Sequence, residues 1–89
     1  MGTRVLHMDT TAAVSQALAA RVRADIEASG KSILSLSNAT GIPHVTLRRR
    51  VAGAPFSSME LISLAHALDI EASSWLADAE RSVAAERAL

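Results

Sequence analysis

The 89 residues are enough for one domain with a small core, and an apolar content of 49% with only two aromatic residues, Phe56 and Trp75, suits packed aliphatic helices better than a sheet. The absence of cysteine excludes a disulfide framework and any cysteine-based metal site, and a formal net charge of zero gives no global attraction to a polyanion. No apolar run approaches membrane-spanning length, MGTRVLHMDT lacks the apolar region of a secretory signal, and Leu6 stands where a myristoylation pattern requires Ser or Thr, so a cytoplasmic location without a membrane partner is expected.

Residues 1–9 lack periodicity and are expected to form a disordered arm, with Arg4 and His7 on a frayed terminus rather than in a nucleic-acid groove. Thr10 or Thr11 is the expected cap of helix 1, whose Val14, Leu18, Val22 and Ile26 recur every four residues until Gly30 stops it. Arg21 and Arg23, beside Asp25 and Glu27, read as a solvated face with weak local ion pairs, with a phosphate contact by one of them as the lesser alternative. Ser32 caps helix 2, where Ile33, Leu36 and Ser37 form an apolar and small face and Gly41 enforces the stop. Pro43 opens helix 3 over residues 43–52. There Leu47 and Val51 define the inner face, so Val45, Arg48, Arg49 and Ala52 point outward and His44 flanks them on the leading turn. GAPF, residues 53–56, is a turn stapled to the core by Phe56. Ser57 and Glu60 then form a capping box for helix 4, with Leu61, Leu64, Ala65 and Leu68 as its stripe and Asp69 as its end. His66 lies off that stripe and has no second ligand at metal spacing. Ile70 and the pair Trp75 and Leu76 are expected to close the bundle from below. The segment 77–89 has strong helix formers but only Val83 and Leu89 as large aliphatics. A frayed helix, a dimer contact and a linker all remain open for it.

The charge is unevenly distributed. Residues 31–53 hold Lys31, Arg48, Arg49 and Arg50 and no acid, whereas the remainder holds five basic and nine acidic side chains. A helix-turn-helix whose second helix is basic is the arrangement that enters a DNA major groove. Arg48 and Arg49 suit the forked contact to guanine O6 and N7, Val45 suits a thymine methyl, and His44 sits at the end of the helix that enters the groove; these four are the expected base-reading residues. The expected backbone contacts are Lys31, Ser32 and Ile33 at the free N–H groups of helix 2, the hydroxyls of Thr46 and Ser57, and the head of Arg50. No nucleophile, paired-carboxylate, metal-ligand or phosphate-loop constellation is present, so neither an enzyme nor a cofactor is expected.

The segment 32–53 resembles the helix-turn-helix of the phage-repressor and Cro type, the Xre-like family. The resemblance rests on Leu36-Ser37 for the usual Leu-Ala pair, Gly41-Ile42 for the Gly-Val turn, Leu47 for the buried aliphatic and Gly53 after the recognition helix. SSMELISLAHALDIEASSWL is similar to the family's fourth and fifth helices, which extends the likeness over roughly residues 12–76. The chain departs from the pattern at Ile33, often Gln; at Arg50, often aromatic or apolar; and at Val51, often acidic. The resemblance implies an all-α, lambda-repressor-like bundle of about five short helices at residues 10–76, followed by a helical tail or linker at 77–89. It implies a sequence-specific regulator of double-stranded DNA, a repressor of the phage-immunity kind, with an antitoxin-like or adaptor module on the same fold as the alternative. Alanine and arginine usage points to a high-GC source such as an actinobacterium or its phage. With only about four basic side chains at its edge, one copy is expected to bind modestly and to need pairing on DNA or a further C-terminal domain; free in solution at micromolar concentration it is expected to be a monomer.

Overall fold

Local chemistry sets most helix boundaries in this chain. The computed structural model describes the backbone of residues 2–88 and the side chains of residues 11–86. The helices are α1 (Gly2–Ser29), α2 (Ile33–Thr40), α3 (His44–Ala52), α4 (Ser58–Ala67) and α5 (Ala72–Ala88), and no strand occurs among the described residues. Ser32 caps α2 by accepting the Ser35 N–H at 3.0 Å. Gly41 closes it at φ 80°, and its N–H donates to Ser37 O. Pro43 is the N-cap of α3 rather than its first residue, so that helix begins at His44. The capping box of α4 forms in full: Ser57 Oγ accepts the Glu60 N–H, and Glu60 Oε1 accepts the Ser57 N–H at 2.8 Å. Past α4 the chain reverses at Asp69, whose φ is 59°.

Apolar side chains from all five helices meet in one core. Leu18, Val22 and Ile26 of α1 pack with Leu36, Ile42, Leu47, Leu64, Ala65, Trp75 and Ala79, and Val51, Phe56, Leu61 and Ile70 close the margins. The most extensive helix pair is α1 with α5. Twenty-eight residues of α-helix measure about 42 Å, so α1 alone accounts for most of the 45 Å long axis. Among the described residues no helix is long and apolar enough to cross a membrane.

Both ends differ from expectation. The helix continues through residues 2–9, where an arm was expected, and Thr10 and Thr11 lie inside α1 instead of capping it. Between Thr3 and Gly30 the segment contains neither proline nor glycine, so nothing in it forces a stop. The side chains of Arg4 and His7 lie outside the described residues, as does Leu89. At the other end, α5 runs without interruption through residue 76 and therefore spans the expected boundary between domain and tail. Ala79 and Val83 are buried, 2% and 5% exposed. Small alanines let α5 approach closely, so a segment with few large aliphatics still packs.

A polar seam runs along the same helix pair. Trp75 is fully buried, and its Nε1 donates to Asp25 Oδ2 at 2.6 Å. Arg21 lies 3.5 Å from that carboxylate and 3.4 Å from Asp78, which also pairs with Arg81. Arg21 thus bridges two helices instead of lying on a purely solvated face. Leu76 does not join Trp75 in the core, being 46% exposed.

Leu47→Ala is expected to cost ~2–5 kcal/mol through the cavity it leaves, and Val83→Ala about 1–3 kcal/mol of lost burial. Urea unfolding followed by circular dichroism measures both. An unchanged midpoint for Val83→Ala would mean that α5 beyond residue 76 does not pack on α1.

Candidate nucleic-acid interface

The turn between α2 and α3 is built from short side chains that replace missing backbone partners. Thr40 Oγ1 donates to Leu36 O at 2.7 Å and accepts the Ile42 N–H at 3.2 Å. Ser37 Oγ donates to Ile42 O at 2.6 Å. Between these bonds Gly41 takes the left-handed conformation that a β-branched residue resists. Ile42, 7% exposed, wedges the turn into the core. These contacts fix how α3 leaves α2.

On α3, Leu47 is fully buried and Val51 packs against the core. Helical spacing therefore turns Val45, Arg48, Arg49 and Ala52 to the opposite side, where all four are exposed, Val45 to 66%. His44, half-buried, begins the same helix. The four expected base-reading residues thus lie on or beside one face of one helix.

The expected backbone-contact residues do not assemble in the same way. Lys31 Nζ donates to Ala67 O at 2.9 Å, which places its charge at the C-terminal end of α4. Ser32 Oγ is engaged in its cap, and Ile33 packs against the core, which leaves only its backbone N–H for a phosphate. Thr46 is half-buried. Ser57 Oγ accepts within the capping box. Arg50 Nε donates to Glu60 Oε1 at 2.9 Å, so an acid that is distant in sequence from the arginine run neutralises one member of it. Arg23 was read as solvated, yet its Nη1 donates to Val51 O at 3.1 Å and ties α1 to the last turn of α3. A residue 28 positions away in sequence leaves no local signal of such a contact. Among the described residues no group of three His, Asp or Glu side chains converges as a metal site.

Glu60 Oε1 therefore serves two partners. Its carboxyl is held below the usual range, first by the Ser57 backbone N–H, then by the hydrogen bond from Arg50, with burial opposing both. Because the folded pKa is the lower one, the stabilisation is complete above the unfolded pKa and is lost as pH falls through the folded value. Glu60→Gln keeps an acceptor for Ser57 but loses the charge facing Arg50. It is expected to be about 1–2 kcal/mol less stable at pH 7, with the gap to the parent closing as pH drops below about 4. Denaturant midpoints between pH 7 and pH 3 test this; a gap independent of pH would show that the carboxylate charge is not what matters.

Comparison with protein-family models, curated proteins and solved structures gave no match for this chain.

Proposed function

We propose that the chain is a sequence-specific regulator of double-stranded DNA, a repressor of the phage-immunity kind, that inserts α3 into the major groove. The observation that carries this reading is the pair of exposed arginines, Arg48 and Arg49, flanked by exposed Val45 and Ala52 on a helix whose reverse side buries Leu47. Two guanidinium forks on one helix face match the donor geometry that guanine requires. The reading involves neither a catalytic step nor a cofactor. With Arg50 neutralised by Glu60 and Lys31 drawn to α4, few charges remain for phosphates, which supports a shallow salt dependence for a single copy.

A specific observation also favours a protein-interaction module. Leu34 on α2 and Met59 and Ile62 on α4 are exposed to 59%, 72% and 55%, and α2 and α4 pack together. A salt-dependent shift of duplex DNA separates the two readings.

Selection of bound duplexes from a random pool, followed by titration of the winner, supplies the main test. Arg48→Ala and Arg49→Ala are each expected to weaken binding to the selected site by ~1–3 kcal/mol and to relax preference at one base pair. Parental affinity in both variants would remove the base-reading assignment.

The tail's Val83 is already buried within its own chain, so the free protein is expected to sediment as a monomer at micromolar concentration. A stable dimer without DNA would overturn that expectation.

A further inference from the structure

Arg23 does more than brace α3. Gln16, Ala19 and Arg23 follow one another at helical spacing and line one side of a cleft of about 470 Å³, whose other side is formed by Ala52 and Gly53. Of these, Ala19 is 3% exposed, while Gln16 and Arg23 are exposed. The α3 wall carries no side chain larger than a methyl group. The hydrogen bond from Nη1 to Val51 O holds the guanidinium at the α3 end of the cleft. A guanidinium has five N–H donors and this bond uses one. The Gln16 carboxamide adds donors from the same helix face. Among the described residues no carboxylate lines the cleft; Glu27, one turn beyond Arg23 on α1, lies outside it.

The position matters as much as the chemistry. Ala52 lies four residues after Arg48 and three after Arg49, so the exposed stripe of α3 runs directly into the mouth of this cleft. Resting on the reading of α3 as the groove-entering helix, we infer that the cleft between α1 and the end of α3 is a second DNA contact, which takes a backbone phosphate through Arg23 and Gln16. The phosphate is that of the same duplex whose bases α3 faces. The contact fixes register without reading sequence, because only phosphate oxygens meet these donors. It also supplies the recognition surface with a charge that the arginine run loses to Glu60.

Gln16 is the better probe, since Arg23 also supports α3. The full chain with its selected duplex is titrated at 50 and 200 mM salt. Gln16→Lys places a cation at the phosphate and should steepen the log–log salt slope by about 0.9, an advantage over the parent that grows roughly three- to fourfold from 200 to 50 mM. Gln16→Glu should weaken binding to the selected duplex and to a scrambled one by the same factor, with thermal stability unchanged. Glu71→Gln makes the same unit change in charge in the α4–α5 turn and should alter the slope much less than Gln16→Lys. If both Gln16 variants match the parent while Arg48→Ala still weakens binding, the cleft is not a contact and the reading of α3 stands. An equal effect from Glu71→Gln would also overturn the cleft, since net charge alone would then explain the change. If the parent binds no duplex at any salt concentration, both readings fall together.

Discussion

A nine-residue helix with three consecutive arginines does not hold itself together in water. Isolated helices shorter than roughly 12–15 residues are marginal even without repulsion between neighbouring charges. What keeps α3 helical is the burial of Leu47, supported by Val51 and by the wedge of Ile42 in the turn before it. Once Leu47 is committed to the core, the helical repeat leaves no choice about where Arg48 and Arg49 go. The outward basic face therefore follows from an apolar contact, and the arrangement of the surface depends on the core beneath it.

The three arginines illustrate how tertiary context separates residues that are equivalent in sequence. Arg48 and Arg49 face outward. Arg50, one position on, is turned toward α4, where Glu60 receives it. Arg23, from α1, reaches the last turn of α3 and donates to Val51 O. The charged edge is thus assembled from two helices, and no count along one segment reproduces it.

Much of the fold was legible because short-range chemistry fixed it. Ser32, Gly41, Ser57 and Glu60 act within four residues of themselves, and the spacing of Leu18, Val22, Ile26, Leu47 and Leu64 identifies a core without knowledge of its partners. The side-chain contacts that local sequence did not reveal share one origin. Lys31, Arg50, Arg23 and Arg21 have long side chains whose partners lie on other helices, and local sequence does not show which helix comes near. The tail misled for a different reason. Its alanines were counted as weak hydrophobes, but against α1 their value is that they permit close approach, as buried Ala79 shows. At the candidate interface the outward placement of Val45, Arg48 and Arg49 was legible from periodicity, whereas the bond from Arg23 to Val51 O was not.

Trp75 is the chain's single tryptophan, and its indole lies at the junction of α1 and α5 with its N–H on the Asp25 carboxylate. One intrinsic fluorophore thereby lies at the seam between α1 and α5, on helices other than the one carrying Arg48 and Arg49. Its emission reports whether α5 is docked, since undocking exposes the ring to water and releases the carboxylate together. Closure of the bundle can therefore be followed through the protein's own fluorescence, without a label.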